Sequence, residues 1–333
     1  MAEFEKFHFS SLNELKDKMK ELGISIPVSE DLSPLAEHVK IGEKDAPNSL
    51  AVLPMEGCDG EKNGSPSALT VRRYKRFAGG GAGLIWCEAC AFTAEGRANP
   101  RQLFLHSGNV DEFKKLTEIC IREAKEKNGT RPILILQLTH SGRYARPFDK
   151  NAPMVAQHDP ILDPKVGITE TYPIVTDEYL DELQEKYVQS ALLAKEAGFD
   201  GVDIKACHRY LVSELLASHT RTGKYGGDFK NRSRFLLEVI KKVREAAGRN
   251  FIIASRFNVF DAHPYPYGFG VSKKKEWVPD LTEPLLLVEQ MIEAKIDLLS
   301  NSAGNPYYRF PQVTRPFDLP TLNGEFPKEH PLE

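Results

Sequence analysis

The sequence predicts an α/β chain of the (β/α)8 barrel type, with about six of the βα units present. Three observations lead there. Short apolar strands alternate with amphipathic helices, the pattern of a parallel sheet joined by right-handed crossovers. Polar residues and long loops follow the strands rather than the helices, as in barrels whose sites sit at the strand carboxyl ends. No GxGxxG run follows any strand, which removes the dinucleotide fingerprint of an open doubly wound sheet.

Residues 1–48 precede the first unit and are expected to pack on the barrel as an extension. Ser11-Leu12-Asn13-Glu14 is a capping-box pattern, followed by Leu12, Leu15, Met19 and Leu22 at helical spacing and Gly23 as the stop. An extended, Pro-containing segment then runs to Pro47-Asn48. Residues 49–305 carry the units. Ser49–Leu53 reads as the first strand, ending in Pro54-Met55-Glu56-Gly57, and Ala68–Phe77 as the first helix. Gly79-Gly80-Gly81 turns the chain into a strand at Leu84–Ala91, and a helix comes next at Val110–Lys127. Ile133–Leu138 is wholly apolar, as a strand buried on both faces should be.

The stretch from His140 to Val175 contains five prolines and is too long to be an idle connection. Thr176-Asp177-Glu178 starts the next helix with a cap and dipole-favourable acids. A short strand around Val202 and Ile204 comes after it, then helix at Phe235–Ala247, strand at Phe251–Phe257, helix at Glu283–Ala294 and strand at Ile296–Leu299. Residues 306–333 are Pro-rich and supply neither a seventh nor an eighth strand, so an incomplete barrel is expected. Its open edges could be covered in a homo-oligomer.

Composition excludes several classes. Lys and Arg number 44 against 47 Asp and Glu, a formal net charge of −3, so nothing favours nucleic acid or an anionic membrane. Five cysteines without disulfide spacing point to a reducing, cytoplasmic setting. The amino terminus lacks an apolar signal core, and the longest apolar runs are strand-sized.

The chemistry concentrates between Gly198 and Phe235. After the strand, Lys205, His208 and Tyr210 fall within six residues at a strand carboxyl end, three side chains of very different ordinary pKa. Each has a plainer account: Tyr210 as a packed aromatic, His208 as a loop histidine, Lys205 as a residue reaching to solvent. Cys87-x-x-Cys90 resembles half a zinc site, but three residues apart on a strand point to opposite faces, so no metal is expected. Arg221, Arg232 and Arg234 read as structural pairs in the polar loop and exit around Gly226-Gly227, and Arg143 as either structural or functional.

The stretches GFDGVDIKACHRYL, RTGKYGG and NRSRF, with NSLAVLPME, GLIWCEACAFTAEGR and QLTHSGR before them, resemble the Old Yellow Enzyme family, including its 2,4-dienoyl-CoA-reductase-like branch. The resemblance runs from about Asn48 to Gly304. It implies FMN as cofactor, NADH or NADPH as reductant, and a small activated alkene as substrate. By position, Gln137 would hydrogen-bond the flavin pyrimidine edge and Arg256 would lie against the ring system. Pro54, Met55 and Ala89 would line it, Tyr210 would be the proton donor, and Lys205 with His208 would grip a carbonyl oxygen.

Two positions depart from the family: Lys205 stands where His is usual, and Glu56 where Thr or Cys is usual. A carboxylate beside the flavin should lower its potential if ionised, or donate a hydrogen bond if burial keeps it protonated; a lowered potential is expected. The implied reaction is hydride transfer from reduced flavin to a C=C bond. A different class, a Schiff-base lyase built on Lys205, is the competing reading. A third is a partial chain that binds flavin weakly for want of the phosphate site that lies after strands seven and eight.

Overall fold

The structure is a computed structural model and describes residues 8–308. Its first helix, α1 (Leu12–Glu21), is capped by Ser11 as the sequence indicates, and buries none of its residues. The segment between this helix and Asn48 is not simply extended. Within it β1 (Val39–Ile41) and β2 (Lys44–Ala46) form an antiparallel hairpin across Gly42. Ile41 and Ala46 are buried among Leu84, Trp86, Ile133, Ile135, Ile252 and Ala254, so the hairpin closes the amino-terminal end of the strands.

Six parallel strands then form one sheet in chain order. They are β3 (Ala51–Val52), β4 (Leu84–Ala91), β5 (Ile133–Thr139), β6 (Gly201–Ile204), β7 (Ile252–Phe260) and β8 (Leu298–Ala303). Between them run α2 (Ala68–Gly79), α3 (Val110–Asn128), α4 (Asp163–Val166), α5 (Asp177–Glu196), α6 (Leu211–Leu216), α7 (Phe229–Ala247) and α8 (Thr282–Glu293). The sheet is curled. The Arg256 guanidinium on β7 reaches the carbonyl oxygen of Pro54, just after β3, at 3.3 Å. Among the described strands, β3 and β8 each pair on one side only. The curl therefore describes a partial barrel, as expected. Of the Pro-rich segment 306–333, residues 309–333 lie outside the described residues.

Alternation of side chains separates two cores. Leu134, Leu136, Val202, Ile204 and Ile253 face outward to the helices, while Trp86, Ile135 and Ala254 face inward. β4 breaks this alternation with a bulge between Cys87 and Ala89. The extra residue, Glu88, turns to Arg73 and Tyr74 on α2, and Ala89 comes into register with Gln137. Cys87 and Cys90 consequently share the helix-side core with Cys120, rather than pointing to opposite faces as their spacing suggested. Among the described residues, no group of three or more His, Cys, Asp or Glu could hold a metal ion.

Most boundaries fall within a few residues of the expected ones. α7 begins six residues early, because the Asp228 side chain caps Asn231 N–H. Arg232 and Arg234 are thus helical rather than in a loop. Arg232 donates to the Leu216 and Gly227 carbonyls and pairs with Glu283, and Arg221 pairs with Asp177. Both are structural. The long stretch after β5 is ordered by fully buried Arg143, which pairs with Glu214 on α6 and Asp163 on α4. Glu214 also accepts the Ala156 and Gln157 N–H groups. No helix among the described residues is long and apolar enough to cross a membrane.

Candidate active site

At the carboxyl end of the strands lies a cavity of about 220 Å³ lined by Pro54, Met55, Glu56, Ala89, Gln137, Lys205, His208, Tyr210, Arg256, Pro306 and Tyr307. All nine residues picked out in the sequence line this one cavity. Larger cavities are also present: one of about 320 Å³ shares Tyr210 and Tyr307 with this one, and one of about 580 Å³ runs along α5, away from these groups.

The floor is organised by Asp203, an inward residue of β6 that the motif contains but that spacing alone does not single out. Its buried carboxylate accepts from Gln137 Nε2 at 2.6 Å, Trp86 Nε1 at 2.9 Å and the Arg256 backbone N–H at 2.9 Å. Burial raises the Asp203 pKa against the pull of those donors and of nearby Lys205. Because the Gln137 NH2 points down at Asp203, its carbonyl oxygen is left to accept from whatever occupies the cavity. The Arg256 Nε is buried with no partner. An acceptor beside a cationic donor set is what an imide edge and an electron-rich ring require.

The wall is built by the turn after β6. His208 (φ 61°) and Arg209 (φ 58°) are successive left-handed non-glycine residues, a strained pair costing about 1–3 kcal/mol each. Fully buried Arg209 lies at 3.4 Å from both Asp159 and Asp261. Asp159 also accepts from His263 at 2.7 Å, and Asp261 from Asn258 at 2.8 Å. Burial acts against the Asp159 carboxylate, yet the His263 bond and the neighbouring positive charges hold it at about 2. This network fixes residue 209 below the turn while 208 and 210 face the cavity. Gly142 packs beneath: at φ 56°, a Cβ there would lie 2.8 Å from the Leu211 nitrogen.

Lys205 does not reach to solvent; it is 4% exposed. Its Nζ lies 3.6 Å from Glu56 Oε1 and 3.9 Å from the centroid of the Tyr210 ring. The Tyr210 hydroxyl is 3.4 Å from the same Glu56 oxygen. Burial, Glu56 and Tyr307 together push the Tyr210 pKa well above the ordinary phenol value. His208 hydrogen-bonds Ser302 of β8 at 3.2 Å through Nε2. Burial and the charges of Lys205 and Arg256 lower its pKa to about 3, so at neutral pH its ring is uncharged. Tyr307 stacks on Tyr144 with centroids 3.6 Å apart and covers the outer side of Tyr210. Neither Ser302 nor Tyr307 carried a sequence signal: Ser302 lies in none of the quoted motifs, and Tyr307 lies beyond the resemblance altogether.

A curled parallel β/α sheet thus brings Gln137 and Arg256 together with a lysine, a neutral histidine and a tyrosine in one cavity at the strand carboxyl ends, the architecture of a barrel enzyme. Residues 34–304 match the NADH:flavin oxidoreductase / NADH oxidase family, and the chain belongs to that family. It is 29% identical to a metal reductase of Desulforamulus reducens, over 85% of this chain and 39% of that one. It is 30% identical to an NADPH dehydrogenase of Halalkalibacterium halodurans, over 73% of this chain and 65% of that one. The chain thus spans less than two thirds of the length of either relative.

Among solved structures, a 2-naphthoyl-CoA reductase complex superposes with a TM-score of 0.67 at 22% identity, over 83% of this chain and 41% of that one. The Old Yellow Enzyme of Trypanosoma cruzi superposes with a TM-score of 0.64 at 21% identity, covering 81% of this chain and 74% of that one. These neighbours share the fold.

Proposed function

We propose that this chain binds FMN across the cavity, takes reducing equivalents from NADH or NADPH, and reduces an activated C=C bond of a small carbonyl compound. The observation that supports this most is convergence: groups spread from Pro54 to Arg256 in sequence line one cavity with complementary chemistry. The residues suit a flavin. Gln137 offers an acceptor to an imide N–H, and Arg256 offers a cation and an unpartnered buried Nε to an electron-rich ring. Family membership favours this reading over a Schiff-base lyase at Lys205.

Bound FMN would supply the hydride chemistry, while the protein positions and polarises. Lys205 carries the positive charge at the mouth, and neutral His208 can donate a hydrogen bond. Together they would stabilise negative charge growing on a substrate carbonyl oxygen, about 3–4 kcal/mol for a well-placed donor. Tyr210, kept protonated by its surroundings, would deliver a proton to the α-carbon. Buried Tyr210, with half-buried Tyr307 beside it, would limit water at the reacting carbon.

Tyr210→Phe tests the assignment. Reduction of the bound flavin by NADPH should keep its rate, while transfer to 2-cyclohexenone should slow by about 10²–10⁴-fold. Equal rates in both proteins would remove Tyr210 from the reaction.

A further inference from the structure

Tyr210 is 7% exposed and lines two cavities, so a proton it gives up returns by way of the groups beside its hydroxyl. Tyr144 packs against the ring, with centroids 6.2 Å apart, and three further groups lie beside it. Lys205 sits over the face of the ring, at 3.9 Å from the centroid. Tyr307 meets the hydroxyl, but its own pKa is raised, chiefly by burial, which makes it a poor acid. Glu56 meets the hydroxyl at 3.4 Å through Oε1, and its side chain is 20% exposed, connecting the buried phenol to the rim. Lys205, 3.6 Å from the same oxygen, steadies that carboxylate in place. Glu56 lies directly after Pro54-Met55, at the position where the resemblance leads one to expect Thr or Cys.

We propose that Glu56 is a positioning and proton-relay residue that returns a proton to Tyr210 between turnovers. The proposal rests on the ene-reductase reading above. In each turnover the Tyr210 O–H bond breaks, a C–H bond forms at the substrate α-carbon, and the phenolic oxygen keeps the electron pair. Glu56, having taken a proton from water at the rim, passes it to that phenolate and reverts to carboxylate. A carboxylic acid protonates a phenolate downhill. The sum per cycle is one hydride from NAD(P)H and one proton from solvent added across the C=C bond.

The test uses FMN-loaded protein, excess NADPH and 2-cyclohexenone in stopped flow, with wild type, Glu56→Gln and Glu56→Ala. Gln keeps an oxygen for Lys205 and Tyr210, and unchanged flavin absorption and melting temperature confirm folding. The expected result in Glu56→Gln is a burst, with every turnover after the first at least tenfold slower than the first and carrying an enlarged solvent deuterium effect, whereas wild type shows no such break. Added acetate should restore the later turnovers of Glu56→Ala. The inference is overturned if Glu56→Gln shows no burst, if its first turnover is as slow as the rest, or if acetate has no effect. Wild type failing even the first turnover would overturn the parent reading instead.

Discussion

Arg209 shows how a residue between two site residues can govern both. Its neighbours His208 and Tyr210 face the cavity, while its own guanidinium is held between Asp159 and Asp261 at 3.4 Å. Arg209→Gly removes one left-handed strain but leaves two buried carboxylates with less charge compensation. Breaking a buried pair costs about 3–5 kcal/mol, against about 1–3 kcal/mol of strain relieved. Chemical denaturation should therefore show Arg209→Gly less stable than wild type by about 2 kcal/mol, and equal or greater stability would refute this account of the turn. At this scale the sequence was informative wherever a motif named a residue. It was silent on Arg209 and Asp203, although Asp203 lies two residues before Lys205 on the same strand face. Ser302 and Tyr307 had no such neighbour to betray them, because proximity in the folded chain alone brings them to the cavity.

Elements were legible to the degree that periodicity reports burial. β4 to β7 and the helices between them announce themselves through apolar strands and 3.6-residue spacing. The hairpin of β1 and β2 does not: each strand is three residues long, and only Ile41 and Ala46 carry its burial. Its worth is testable. Ile41→Ala should cost about 2–4 kcal/mol, because it opens a cavity against Trp86 and Ile135 at the base of the barrel. A thermal unfolding midpoint unchanged from wild type would mean that the hairpin is only a surface decoration. The β4 bulge was equally hidden. It reverses the parity of the strand after Cys87, which is why Ala89 lines the cavity while Glu88 bonds Arg73.

At the scale of the whole molecule, wholly or partly buried histidines, His263 among them, set the response to acid. Burial lowers the pKa of His140 to about 4 and of His219 to about 4, and His208 to about 3. All three lie below the ordinary value near 6.5, so the unfolded chain binds more protons than the folded one over the interval between. Stability must then fall as pH drops from about 6.5 toward 4. His140 accepts the Gly142 N–H at Nδ1, so its Nε2–H is directed to Tyr179. Melting temperatures between pH 7 and 4 should decline in wild type and decline less in His140→Gln; identical slopes would contradict this assignment.

The open sheet has a second consequence. With β3 and β8 as the edges among the described residues, the groups that line the cavity would contact a flavin ring rather than a phosphate. Riboflavin should accordingly bind within about tenfold of FMN, which is about 1.4 kcal/mol. A much larger FMN preference would place the phosphate in the hands of residues outside 8–308.

Everything in the functional account depends on a flavin ring lying over Gln137 and Arg256, beneath Lys205, His208 and Tyr210. An anaerobic titration of FMN into the protein, followed by visible absorption, tests this most directly. The account predicts a saturable 1:1 change in the flavin band, bleached by NADPH and restored by 2-cyclohexenone. A spectrum identical to free FMN at saturating protein would contradict it.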